Sequence, residues 1–189
     1  VKVGHGGTLD PLATGVLPIA LGEGTKLAGR MLDASKVYDF TIAFGTQTSG
    51  LDAEGAVVAT SDARPKLADI LAVLPHFTGP IDQVPPAYSA LKIDGERAYD
   101  RARRGEDVVM VARAVTVFSL APASESAGQP ASNSLASSAL ESITLTAHVS
   151  KGTYIRSLGR DIALALGTVG HVTMLRRLRA GPFGLDQAI

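Results

Sequence analysis

The sequence predicts an α+β fold built around a mixed sheet. Two observations carry that expectation. Short runs rich in β-branched and aromatic residues, such as Tyr38 to Phe44 and Ile143 to Val149, read as strands, whereas Pro65 to Phe77 and Ile155 to Leu166 have helical apolar spacing. The two kinds of segment interleave without the regular strand–helix–strand period of a doubly wound sheet. At 189 residues the length suits one compact unit, expected over 1–189.

Taken in order, the first fifty residues are punctuated by Gly4, Gly6, Gly7, Gly15, Gly22 and Gly24 around short apolar pieces such as Val16 to Leu21, a loop–strand–turn pattern. Thr25 to Leu32 has helix-like spacing. In Tyr38 to Phe44 the alternation puts Tyr38, Phe40 and Ile42 on one strand face. Gly45 to Gly55 holds turn formers, and Gly55 to Thr60 is a short strand. The helix over Pro65 to Phe77 turns Leu67, Ile70, Leu71 and Leu74 inward and is followed by Gly79. Pro85 and Pro86 break the chain, Ala98 to Arg104 is a short basic helix, and Val108 to Phe118 is rich in β-branched residues. Ala121 to Ser142 is almost entirely Ala, Ser, Pro, Gly, Gln and Asn. Such a segment buries too little apolar area to offset its ordering entropy, so it reads as a flexible insert between two strands. The last helix ends at Gly167, before an apolar, arginine-rich segment from Val172 to Leu178.

Composition excludes several classes. No apolar run approaches the roughly 18 residues of a membrane span. The absence of cysteine removes thiol nucleophiles, disulfides and cysteine zinc sites, and it fits a reducing cytoplasm. Four scattered histidines suggest no metal, and no glycine loop leads into Lys-Ser or Lys-Thr to cradle a nucleotide. The start at Val1, with no basic or apolar leader, reads as the interior of a longer chain. Eighteen Lys and Arg balance eighteen Asp and Glu, which on its own is a weak argument against a nucleic-acid-binding protein. The distribution is lopsided, however: from Lys151 to Ala180 six cations face only Asp161.

The most unusual segment is G-H-G-G-T-L-D-P-L-A-T-G-V-L, Gly4 to Leu17. Pro11 fixes its own φ and pushes Asp10 away from the helical region, and the glycines admit a close neighbour. A carboxylate displayed this way is either a reactive group or the cap of a turn, and chemistry alone leaves both open.

This segment resembles the catalytic loop of the bacterial TruB family of tRNA pseudouridine synthases. Y-S-A-L-K at Tyr88 to Lys92, K-G-T-Y-I-R at Lys151 to Arg156 and L-R-R-L at Leu175 to Leu178 resemble further blocks of that family, in the same order. The resemblance covers nearly the whole chain outside the insert. It implies the pseudouridine synthase fold, a mainly antiparallel mixed sheet flanked by helices. It also implies a cofactor-free isomerisation of uridine to pseudouridine in the T loop of tRNA, at position 55.

The resemblance makes Asp10 the catalytic aspartate, Arg156 the arginine that pairs with it, and Tyr38 the tyrosine that stacks on the target base. Tyr154 and Leu175 would line the base pocket, and His5 would fill the gap left in the RNA stack. Lys92, with Arg101, Arg103 and Arg104, lies where the family has an RNA-clasping insertion, and Arg176, Arg177 and Arg179 are further candidates for phosphate contacts. Each has a plainer alternative: a solvated surface charge, a core tyrosine or leucine, or a histidine in a loop. Family members also carry an N-terminal strand-forming segment that this sequence lacks, and many have a C-terminal RNA-binding domain.

The expected partner is tRNA through its T-stem-loop, bound by a cytoplasmic monomer with no membrane and no obligate protein partner. Two other readings stand beside this one. One is a tRNA-folding chaperone on the same scaffold, with dispensable catalysis; the other is a guide-RNA-directed relative of the dyskerin type.

Overall fold

The computed structural model describes residues 1–89, 91–93, 95–106, 108–123 and 138–188. Most of the insert expected at 121–142 lies outside them. The N-terminal part contains β1 (Val3–His5), β2 (Thr14–Gly15), β3 (Ile19–Leu21) and α1 (Ala28–Asp33), with a 3-10 turn at Gly22–Leu27 leading into α1. There follow β4 (Lys36–Phe44), β5 (Thr46–Thr48), β6 (Val57–Thr60), α2 (Leu67–Val73) and β7 (Gly79–Gln83). Next come β8 (Lys92–Ile93), β9 (Glu96–Arg97), α3 (Ala98–Arg103), β10 (Arg113–Pro122), β11 (Ser142–Val149), α4 (Ile155–Ala165), β12 (Gly170–Ala180) and β13 (Phe183–Gly184). The arginine-rich segment after Gly167 is therefore the long strand β12, with Val172, Leu175 and Arg177 buried and Arg176 and Arg179 exposed.

The main sheet runs β13-β12-β4-β11-β10-β7, and β2 adds to β12. All its pairings are antiparallel except β2 with β12, so the sheet is mixed and mainly antiparallel, as expected. β4 lies at its centre, and register explains the core. Phe40 is opposite Leu145 of β11 and Leu175 of β12, and Ile42 is opposite Ile143 and Val172. All six are buried and share a cluster with Leu158 and Ile162 of α4, with Ile70 of α2 and with Leu74 just after it. Period-2 alternation thus supplies one apolar face, and α4 covers it. Gly159 lets the helix come close, since a Cβ there would sit 2.9 Å from a Val172 methyl.

The opposite face is polar. Thr41 and Thr144 share a hydroxyl hydrogen bond of 2.9 Å, and Thr146 donates to Asp39 at 2.6 Å. On the apolar face, character changes toward one end of β4: the alternation that buries Phe40 continues through Tyr38 to Lys36, and the neighbour of Tyr38 on β12 is Arg177. The boundary between apolar and cationic sheet is where the N-terminal loop docks. No helix among the described residues is long and apolar enough to cross a membrane.

Candidate active site

The loop between β1 and β2 carries Asp10, and β12 holds that loop at both backbone and side chain. Thr14 and Gly15 pair in parallel with Arg176 and Arg177, and the Val16 amide donates to the Arg177 carbonyl at 2.9 Å. Gly15 has φ +98°, and a Cβ there would lie 2.2 Å from that carbonyl oxygen, so only glycine fits. The Arg177 guanidinium donates to the carbonyls of Val16 (2.6 Å), Thr8 (3.2 Å) and Gly7 (2.9 Å). With its residue 1% exposed, Arg177 is a buried brace for the loop and not a surface cation. Within the loop a turn closes from the Ala13 amide to the Asp10 carbonyl at 2.9 Å.

Arg156, in the first turn of α4, meets Asp10 from the other side. Its Nε donates to Oδ2 of Asp10 at 2.8 Å and a terminal nitrogen donates to Oδ1 at 3.3 Å, a two-point pairing. The same nitrogen donates to the Tyr88 carbonyl at 3.0 Å, and the other donates to the Gly50 carbonyl at 2.8 Å and to Oδ2 of Asp52 at 3.2 Å. All five guanidinium N–H groups are thereby accounted for. The Arg156 side chain is 5% exposed and that of Asp10 32%, so one is fixed in the wall while the other presents oxygen to an open space.

Asp52 was not legible in the sequence. It sits in the loop between β5 and β6, next to Leu51, which has φ +61° although it is not glycine. Backbone strain of this kind persists where the surroundings over-determine it. Here the Val172 amide donates to the Leu51 carbonyl at 3.0 Å and the Thr48 hydroxyl donates to the Asp52 carbonyl. The positive φ turns the chain so that Gly50 and Asp52 both face Arg156.

These groups border a cavity of about 850 Å³ whose lining includes Asp10, Asp52, Tyr88, Tyr154, Arg97 and Arg103. Tyr154 precedes α4, and its amide donates to Oε1 of the buried Gln83 at 2.7 Å. Burial pushes the Tyr154 hydroxyl above its ordinary pKa.

The other expected site residues lie elsewhere. Tyr38 borders a second, smaller cavity that shares Thr8 with the first; burial raises its pKa, and the neighbouring Arg177 guanidinium opposes the shift. Leu175 belongs to the hydrophobic core beside Phe40. His5 is exposed on β1, opposite Ile19. Arg176 alternates with the buried Arg177 along β12, so it is exposed on the polar face, with Asp39 as its backbone partner. Lys92 falls on β8, and its side chain lies outside what the structure describes. In the basic helix, Arg104 is held between Glu96 and Glu106, and Arg101 pairs with Glu106. Arg103 lies over the Tyr99 ring and lines the large cavity, as does Arg97, which sequence reading passed over. The described residues bring together no group of three His, Asp or Glu suited to a metal ion.

Comparison with known proteins gives the class of this mixed sheet, whose N-terminal loop presents a carboxylate clamped by a buried arginine. Residues 1–155 match the model of the TruB family pseudouridylate synthase N-terminal domain, and residues 156–189 that of the tRNA pseudouridylate synthase B C-terminal domain. The chain belongs to the TruB family. It is 66% identical over 188 residues to tRNA pseudouridine synthase B of Novosphingobium aromaticivorans, covering all of this chain and 59% of that protein. The protein of the same name from Zymomonas mobilis is 54% identical over 189 residues, with 58% of its length covered. The chain therefore spans somewhat more than half the length of these relatives. Among solved structures, a chain in the crystal structure of a Cbf5-Nop10-Gar1 complex superposes with a TM-score of 0.68 at 30% identity, covering 99% of this chain and 43% of that one. The structure of an H/ACA RNP bound to a substrate RNA containing 2'-deoxyuridine gives a TM-score of 0.65 at 27% identity.

Proposed function

We propose that this chain forms the catalytic site of an enzyme that isomerises uridine to pseudouridine in tRNA, with the T-loop uridine at position 55 as target. The observation that carries the reading is the two-point clamp of Arg156 on Asp10 at the wall of a large cavity. The reaction breaks the bond from uracil N1 to ribose C1′, turns the base and joins C5 to C1′; the proton on C5 leaves and N1 gains one. A carboxylate serves by adding to C6 of the base, by adding to C1′ of the sugar, or by relaying the proton. Each role needs Asp10 fixed in direction, and a guanidinium bound to both its oxygens fixes it.

The cavity is large enough for a flipped nucleotide, and base flipping costs a few kcal/mol that contacts away from the reacting base must offset. Arg97 and Arg103 at the cavity are suited to that work. Tyr38 presents an aromatic face beside the loop, and Tyr154 lines the cavity directly. In this reading tRNA is recognised through its T-stem-loop without a guide RNA.

The test is to incubate the full-length protein, and its Asp10→Asn variant, with unmodified tRNA transcript and a bare T-stem-loop, and to map pseudouridine by carbodiimide primer extension. One modified T-loop uridine from the parent alone supports the reading. Modification by neither protein, with RNA binding intact, favours a folding chaperone, and modification only with added guide RNA and protein partners favours the guided class.

A further inference from the structure

The sheet face beside the catalytic loop ends in two buried cations, and the site described above uses neither of them on substrate. Lys36 is 8% exposed, and its three N–H groups donate to the carbonyls of Met31 (3.0 Å), Leu32 (2.7 Å) and Ala34 (2.6 Å). Arg177 is 1% exposed, spends three N–H groups on the loop carbonyls and lies opposite Tyr38 in the register of β12 with β4. Carbonyl dipoles satisfy the hydrogen bonds of these cations, but they do not neutralise their charge.

Both cations border a cavity of about 170 Å³, together with Gly7, Thr8, Tyr38 and the Ser150 to Thr153 turn, and no carboxylate lines it. On the flank Asp33 pairs with Lys151 at 2.8 Å, and Asp10, two residues beyond the lining Thr8, pairs with Arg156, so neither pair adds net charge. The two cations repel each other: burial, then the field of Arg177, holds the Lys36 ammonium below its ordinary pKa. Two like charges in a low-dielectric wall focus positive potential on a small polar space, which an oxyanion relieves. Thr8, two residues from Asp10, borders both this cavity and the large one, so the spaces are neighbours.

Resting on the proposed reading of the large cavity, we infer that the small cavity is an anion site that takes one phosphodiester group of the RNA strand, next to the nucleotide held over Asp10. Lys36 and Arg177 supply the charge there, and Tyr38, which lines the same cavity, supplies a hydroxyl donor. Cation, aromatic residue and loop then register one nucleotide along its backbone while Arg156 registers the carboxylate.

The experiment measures binding of the full-length Asp10→Asn protein to a T-stem-loop RNA in which each phosphate around the target uridine is replaced singly by an uncharged methylphosphonate. The expected result is one position at which neutralisation weakens binding about tenfold, as for loss of a charge-assisted contact. In a Lys36→Met variant with an unchanged circular dichroism spectrum, the same replacement should cost less than about twofold, because the partner charge is already gone. Should that variant not fold, Arg177→Lys, which keeps the charge and loses the fork, takes its place, with an intermediate penalty expected. A flat scan, or a penalty equally large in wild type and variant, overturns the inference. Competition by inorganic phosphate together with a flat scan also overturns it, since the cavity would then take a free anion. A coupled penalty in a protein that isomerises no RNA would leave the anion site standing and remove the enzymatic reading instead.

Discussion

Arg156 lies between two carboxylates, with Asp10 at 2.8 Å from its Nε and Asp52 at 3.2 Å from a terminal nitrogen. Asp10 is partly open to the cavity and Asp52 is nearly closed off, so the arginine is fixed from behind and aims from the front. Asp52 is thus a positioning residue acting through Arg156. Asp52→Asn keeps the shape and removes the charge; kcat should fall about 10- to 100-fold, as for a small misplacement of a reacting group, with RNA affinity changed less than about threefold. Single-turnover kinetics and filter binding on the same preparations measure the two effects.

Arg156→Lys should be more damaging than its conservative look suggests. An ammonium cannot reproduce a five-donor fork spread over two carboxylates and two carbonyls. Isomerisation should drop below about 1% of wild type, and urea unfolding should show a loss of about 3 kcal/mol, because buried acceptors are left without donors.

Asp10→Asn should reduce kcat by on the order of 10⁴-fold or more while leaving T-stem-loop binding within about threefold, the pattern of a group that acts in the transition state. Quantitative pseudouridine mapping beside a binding isotherm distinguishes this from a folding defect.

Gly15→Ala tests the seam between loop and sheet. The added methyl would stand 2.2 Å from the Arg177 carbonyl oxygen, at a φ of +98° that alanine resists. Stability should fall by about 2 kcal/mol or more, with activity lost further than stability because the displaced loop carries Asp10. Thermal melting and residual turnover below the transition report the two.

Alkaline pH should unfold the protein partly through its tyrosines. Tyr38 and Tyr154 both have pKa values raised in the fold, first by burial. Above the ordinary tyrosine value of about 10 the unfolded chain releases protons that the folded chain retains, so stability, fully present below that pH, falls as pH rises through the folded values. Tyrosinate absorbance should show Tyr38 and Tyr154 titrating late. Tyr38→Phe should flatten the stability loss above pH ~10.

Much of the fold was legible because its signals are local. The alternation in Tyr38 to Phe44 placed Phe40 and Ile42 on one face, Ile143 to Val149 read as a strand and formed one, and both helices with strong apolar spacing formed near their expected limits. Asp10 stood out because a Gly-rich turn followed by Asp-Pro is locally unusual, and Arg156 because a motif surrounds it. Asp52 had no such signal: it lies among ordinary turn formers, and only packing of the β5–β6 loop on β12 aims it. Arg176 and Arg177 look alike in sequence and differ entirely in place, because a strand sends neighbours to opposite faces and the docked loop covers only one.

By itself, then, the amino-acid sequence determined the period of each strand and helix, the displayed aspartate and the family, all properties of neighbours along the chain. Tertiary structure alone decided which charges meet. Arg156 gathers Asp10, Gly50, Asp52 and Tyr88 from 68 to 146 positions away, and Lys36 and Arg177 come to share one cavity. Electrostatic partnership depends on distance and burial in space, and neither is a function of separation along the chain.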